Sequence, residues 1–346
     1  MVSGISLILS TGSDSRHTEN LMRQLSACYR VTGYVRDGKY AGPDGNTMCP
    51  CGSYRLIRSC HRSKDGYWLA SPADPLLLGP RTGLSNDGCY GRAANDCSPR
   101  LSREHWMSAS VIEAIQIDGL PPKVSGLPWM KGATMTLPTN ALASRILCER
   151  HNSALSPLDS LAETFFRATR DDQLSYSVPN DSNSTIDSFT LCPGPQLELW
   201  LLKLLWGSLA SKSIRVDGQI ATQLKAGIDL GVLADVLWRG TAWPDQWGLY
   251  SQQHSIDPHG SPNSVAMQSF TAPDGSVLAC AVEFGALRLI VALGKLEGPT
   301  GTVLYRPGGI QFTTVSAASE KVIGLTWPDP GHPSVQYTRL ADAPEG

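Results

Sequence analysis

Between Leu197 and Leu209 apolar residues recur every three or four positions: Leu197, Trp200, Leu201, Leu204, Leu205 and Leu209. That is the period of one helix face, and Pro195 stands where a first helical turn tolerates proline. The pattern predicts a largely buried helix over Pro195–Ala210, its aromatics serving as core. A second helix is predicted from Leu158 to Ala168, with Leu158, Leu161, Ala162, Phe165 and Phe166 in phase behind Pro157. Shorter ones are predicted at Met107–Ile117 (Val111, Ile112 and Ile115 on one face) and at Leu230–Trp238. From Ser264 the pattern changes to runs rich in β-branched and aromatic residues. Strands are predicted at Val265–Phe270, Val277–Phe284, Leu287–Leu293, Thr302–Tyr305, Ile310–Val315 and Lys321–Thr326. Pro273-Asp274-Gly275 and Pro307-Gly308-Gly309 are turn signals between them. The class is α+β, with this end an antiparallel sheet packed on the two main helices. No internal repeat is evident.

Elsewhere the periodicity fades. Residues 1–85 are rich in Gly, Ser, Arg, Asp and Pro and read as a poorly defined extension, with one short helix at Asp14–Leu25. Asp87–Arg100 is a polar loop, Gly119–Pro138 a Pro/Gly-rich loop carrying Trp129, and Asp171–Ser188 a Ser/Asp/Asn-rich linker. The resulting division is an extension (1–85), a central unit (86–170), a linker (171–190), a C-terminal α+β unit (191–330) and a tail (331–346).

Composition narrows the function. With 346 residues and 41% hydrophobic content, the chain is long enough for more than one core. Charged residues are 17% and the net charge is −2, which argues against a broad basic surface, so any phosphate contact must come from local Arg and Lys. No apolar run reaches the roughly 20 residues that span a bilayer. Met1–Ser10 is apolar but has no basic segment and no convincing cleavage site, which points to a cytoplasmic protein. In that setting nine cysteines, an odd count, read as metal ligands and buried thiols rather than disulfides.

The chemistry concentrates in two pieces. Cys148-Glu149-Arg150-His151-Asn152 contains a Cys-x2-His pair, and Cys89 and Cys97 lie upstream. Three thiolates and an imidazole suit tetrahedral zinc, and such a site clamps a loop-rich unit with little core of its own. The bland alternative makes Cys89 and Cys97 incidental loop thiols. Glu104-His105 supplies a carboxylate beside an imidazole able to accept a proton near neutral pH. Cys49, Cys51, Cys60 and His61, with Cys28 upstream, contain the elements of a second zinc site. Their Cys-x-Cys spacing is tighter than usual and no second well-spaced pair exists, which favours a loosely ordered segment instead. Asp159 reads as a helix-start carboxylate. Trp106 reads as core, and His254 and His259 as loop residues without clustered partners. Phosphate-cradling loops, nucleophile elbows and dinucleotide fingerprints are absent from the sequence.

Together these strings, Ser102-Arg103-Glu104-His105-Trp106-Met107-Ser108 and Ile146 through Asp159 with the two upstream cysteines, resemble the HNH or His-Me finger (ββα-metal) nucleases. They are closest in character to a group of zinc-bearing bacterial proteins of that type. The resemblance covers residues 86–170. It implies a zinc-stapled ββα finger, with Cys89, Cys97, Cys148 and His151 on a structural Zn²⁺. It implies Glu104 and Asn152 on a catalytic Mg²⁺ or Mn²⁺, and His105 as general base for phosphodiester hydrolysis. Arg103, Arg145 and Arg150 are the candidate phosphate contacts, and the implied partner is nucleic acid, DNA first. A rival keeps the zinc finger as a nucleic-acid or protein adaptor that does not cleave.

Overall fold

The computed structural model describes residues 24–121, 123–125, 130, 133–136, 142–177, 186–216, 219–221, 223–252, 264–297, 303–313, 319–329 and 332–339. The helix expected at Asp14–Leu25, Trp129, His254 and His259 lie wholly or almost wholly outside these residues. In chain order the N-terminal half holds β1 (Tyr29–Thr32), a 3₁₀ turn (Ile57–Ser59), a second 3₁₀ turn (Tyr90–Ala94), β2 (Leu101–His105) and α1 (Ala109–Ala114). It continues with β3 (Lys123–Ser125), β4 (Met135–Thr136), β5 (Ala143–Cys148), α2 (Glu149–Ala154) and α3 (Ser156–Ser177). The second half holds β6 (Ser188–Pro193), α4 (Gly194–Ala210), β7 (Arg215–Val216), β8 (Gln219–Ile220), α5 (Leu230–Arg239) and β9 (Gly248–Gln252). Strands β10 (Ser264–Thr271), β11 (Val277–Phe284), β12 (Leu287–Ala292), β13 (Val303–Tyr305), β14 (Pro307–Thr313), β15 (Lys321–Thr326) and β16 (His332–Arg339) complete it.

The α+β class is as expected, but the strands build two larger sheets rather than one. The first has order β1-β6-β15-β14-β16 and the second β13-β9-β12-β11-β10-β3-β4. The first is mixed: β6 runs parallel to β15 and β16 parallel to β14. In the second, β3 joins β10 in parallel and the remaining pairings are antiparallel. The strand that reorganises the picture is β6, which begins in the segment read as linker and runs into the C-terminal unit. All six of its residues are buried, so Ser-Phe-Thr-Leu-Cys-Pro shows no alternation to announce it. The other half of that segment continues α3 as far as Ser177.

The expected division of the chain is also interleaved. Strand β1, from the N-terminal segment, pairs with β6, and Leu69 bridges to Trp327. Residues of that segment form their own apolar cluster, in which Ile57, Cys60 and Trp68 pack with Phe189 and Val322. Cys28 stands opposite Cys192 at the β1–β6 step and is joined to it by a disulfide. This corrects the reading of the cysteines as ligands and thiols alone.

Helix α4 is the centre of the main core. Every residue from Leu197 to Leu209 is buried, and Leu, Trp and Phe side chains from α3, α5 and both sheets close over it. At about 1.5–3 kcal/mol for each large apolar side chain buried, this face is the chief apolar contribution to stability. Two charged residues are buried on the same helix, and each has a partner. Glu198 accepts from Arg306 through both carboxylate oxygens, at 3.0 and 2.9 Å, and from the Leu249 N–H at 2.7 Å. Lys203, 1% exposed, holds Glu104 at 2.8 Å and Asp159 at 2.6 Å. It also donates to Ser108 Oγ, which receives the Trp200 indole N–H as well and itself donates to Asp159. Helix α5 begins at Asp229, whose carboxylate accepts the Gly231 and Val232 N–H groups.

Burial pushes the Glu104 carboxyl up to about 7, against the pull of Lys203. Between the ordinary carboxylate range and pH 7 the folded protein therefore holds a proton there that the unfolded chain has released. Through this group, stability falls as pH rises across that window and levels off above it. Lys203→Met removes the cation, extends the window upward, and leaves a buried carboxyl without its partner. The expected destabilisation is about 3–5 kcal/mol in urea unfolding, larger at pH 8.5 than at pH 6.5. A pH-independent loss below about 1 kcal/mol contradicts this account.

Candidate metal centres

The polar loop expected at Asp87–Arg100 contains a 3₁₀ turn that begins just after Cys89 and ends before Asp96. Downstream, β2 and β5 form a two-stranded antiparallel ribbon. Its second strand ends at Cys148, which is the N-cap of α2, and His151 follows on the first turn of that helix. A Cys-x2-His spacing across a helix start puts thiol and ring on one side. The Cys148 sulfur accepts the His151 N–H at 3.5 Å and the Ser98 N–H at 3.4 Å.

Four residues converge here. Nδ1 of His151 lies 3.4 Å from the Cys89 sulfur, 3.9 Å from that of Cys97 and 3.3 Å from that of Cys148. All four ligand atoms are within 4.8 Å of one another, on buried residues. Ligands about 2.0–2.3 Å from a shared tetrahedral zinc stand roughly 3.3–3.8 Å apart, so this cluster, 3.3–3.9 Å from Nδ1 to each sulfur, could close on such an ion with three thiolates and an imidazole. Through the hydrogen bond from Cys89, and against the effect of burial, the Cys148 thiol is held well below the usual thiol range, while Cys89 is raised. The site thus favours a thiolate where a soft cation would sit. The His151 ring packs on Trp238 with centroids 4.3 Å apart, and Tyr90 and Trp206 extend the aromatic layer. Gly91 is required at this contact: a Cβ there would lie 2.8 Å from the Trp238 ring and 3.1 Å from His151 Nδ1.

A second convergence, given the bland reading from sequence, joins Cys49, Cys51, Cys60 and His61 within the same 4.8 Å limit. The Cys51 and Cys60 sulfurs are 3.5 Å apart, and Ser53 Oγ is 3.1 Å from Cys60. His61 Nδ1 meets the Leu69 carbonyl at 2.7 Å. An N–H at Nδ1 leaves Nε2 as a lone-pair donor, and Nε2 is buried with no hydrogen-bond partner among the described residues. The hydrogen bond from Cys49 draws the Cys60 thiol well below the usual thiol range. Both clusters could hold a metal such as zinc.

The remaining candidates are placed differently from expectation. Strand alternation turns Glu104 inward, where it is 3% exposed and paired with Lys203. A hard divalent ion shared by Glu104 and Asn152 would have to displace that ammonium. Asn152 instead donates to the Arg103 carbonyl on the other side of β2, at 3.4 Å. His105, half-buried, ends β2 opposite Ala143. Arg150 is drawn to the buried Asp96 at 3.0 Å, which also binds Arg239, so it is not a free phosphate contact. Asp159 belongs to the Lys203 network.

Arg103, by contrast, is exposed. It occupies a β-bulge, where it alone faces the two-residue step Arg145–Ile146. Arg145 and Arg100 are exposed too, and none of the three arginines makes an ion pair among the described residues. Arg145, like Arg103 a candidate phosphate contact from sequence, is brought beside Arg103 by the ribbon register, and Arg100 stands just before β2.

No protein-family profile matches the chain, and neither the curated proteins nor the solved structures give a match. Among the described residues, no helix is long and apolar enough to cross a membrane.

Protein purified without chelator should carry two zinc ions per chain by elemental analysis. Cys148→Ser and Cys60→Ser should each lose one and keep the other. Retention of both ions in either variant excludes that cluster as a zinc site.

Proposed function

We propose that the chain is a zinc-stapled nucleic-acid-binding module. Its ribbon β2–β5 and helix α2 form a ββα unit held by the Cys89, Cys97, Cys148 and His151 cluster. The observation that carries this reading is the set of exposed arginines without an ion pair among the described residues, Arg103 and Arg145 on the ribbon and Arg100 just before it. A chain with net charge −2 lacks a general basic surface, so local guanidinium groups on one ribbon are the feature suited to phosphate. The strand-strand-helix order and the metal cluster support the HNH-like resemblance. The burial of Glu104 against Lys203 favours the binding form over the cleaving one. A structural zinc here would fix the ribbon's register and the start of α2, and supply no chemistry to the nucleic acid. The protein's own side chains orient the phosphates.

Metal-dependent phosphodiester hydrolysis is the second reading. It is favoured by one arrangement: His105 ends the strand against whose Arg103 carbonyl Asn152 is held.

Fluorescence anisotropy with labelled single- and double-stranded DNA separates the cases. The wild type should bind, more weakly as salt rises. Arg103→Ala/Arg145→Ala should weaken binding about tenfold or more and flatten the salt dependence by about 0.9 per lost phosphate contact on duplex DNA. Equal binding by the double variant contradicts the proposal. Plasmid incubated with Mg²⁺ or Mn²⁺ should stay supercoiled. Nicking that disappears in His105→Ala, with zinc retained, would establish the hydrolase instead.

A further inference from the structure

A cavity of about 490 Å³ opens beside the first metal cluster, between the Tyr90–Ala94 turn, the end of α4 and the loop before α5. It lies within the roughly 300–1,000 Å³ range of small-molecule sites. One wall is aromatic: the Tyr90 and Trp206 rings line it with centroids 5.1 Å apart. Leu224 and Ile146 add apolar surface. The Tyr90 hydroxyl is itself buried, so the cavity meets the Tyr90 ring and not its hydroxyl.

The charged lining has a sign. Arg92 and Lys225 are cationic and exposed, against the single carboxylate of Asp87. Arg92 and Asp87 meet at 3.4 Å, but both are more than half exposed, so that pair is weak and yields readily to a better anion. Lys225 makes no ion pair among the described residues. The cavity thus combines one aromatic wall with an excess of one positive charge. Its position links it to the ribbon: Ile146 lines it, and the neighbouring residue Arg145 is one of the exposed arginines.

We propose that this cavity binds a nucleotide, with the planar base against Tyr90, Trp206 and Leu224 and the phosphate held by Arg92 and Lys225. The assignment deepens the nucleic-acid reading and rests on it for one of two sources of the ligand. The nucleotide is either free or part of a strand lying along the ribbon. Base-aromatic contact is tolerant of sequence, and forked and point cations together suit a phosphate.

The test titrates the zinc-loaded full chain with 5′-mononucleotides, the matching nucleosides and inorganic phosphate, by calorimetry and by Trp fluorescence. Mononucleotides should bind more tightly than either fragment. Arg92→Ala/Lys225→Ala, with unchanged melting temperature and zinc content, should weaken them about tenfold or more, and Tyr90→Leu, which removes the aromatic face, should weaken them while leaving phosphate alone unaffected. Competition by a single-stranded oligonucleotide, itself weakened by Arg92→Ala/Lys225→Ala, assigns the ligand to a strand. Mononucleotide binding without that competition assigns it to a free nucleotide. The proposal is overturned if mononucleotides do not bind at millimolar concentration, or bind both proteins equally. Oligonucleotide binding that needs Arg103 and Arg145 but not Arg92 and Lys225, in a protein that binds no mononucleotide, would overturn the cavity assignment while leaving the ribbon's role intact.

Discussion

Three sulfur atoms and one imidazole nitrogen meeting inside the protein fix the middle of the chain. Cys89 and Cys97 come from a polar loop with few apolar residues, which would have little reason to adopt one shape unaided. Their meeting with Cys148 and His151 ties that loop to the end of β5 and the start of α2. The aromatic layer of Trp238, Tyr90 and Trp206 then joins the cluster to helices α4 and α5. The second cluster does the same for the N-terminal segment, whose own core is small. Metal binding in such places is coupled to folding, because the unfolded chain has no preformed site.

The buried charges on α4 decide what surface is left for function. Lys203 cannot sit in the core without carboxylates, and it takes Glu104 and Asp159 from the unit that resembles a nuclease finger. The consequence is a division along β2. The inward residue serves the core, and the outward residue, Arg103, remains available with Arg145 and Arg100. A motif read as a catalytic dipeptide is thus divided between a structural carboxylate and an imidazole at the end of the ribbon.

Much of the fold could be read from spacing. The α4 and α5 helices follow directly from three- and four-residue periodicity, and Val277–Phe284 and Lys321–Thr326 stand at the expected bounds. What escaped was structure buried on both faces. Strands β6 and β9 have almost no exposed side, so their polar residues look like linker rather than strand. The first metal cluster was legible because Cys-x2-His is a local spacing. The second was not, because turns around residues 49–61 supply the convergence that Cys-x-Cys does not suggest. The partners of Glu104 and Arg150 lie far away in the chain or in a loop of unknown path, so no local pattern could assign them. The Cys28–Cys192 bridge was hidden for the same reason: it depends on the β1–β6 register.

The claim on which the account turns is that both clusters are closed Cys3His zinc sites that shape the protein and take no part in chemistry. Zinc-edge X-ray absorption on the purified full chain tests it most directly. The account predicts an average shell of three sulfurs at about 2.3 Å and one nitrogen at about 2.0–2.1 Å per zinc, unchanged when nucleic acid is added. A shell dominated by oxygen or nitrogen, or one that gains a light atom on addition of nucleic acid, would contradict it.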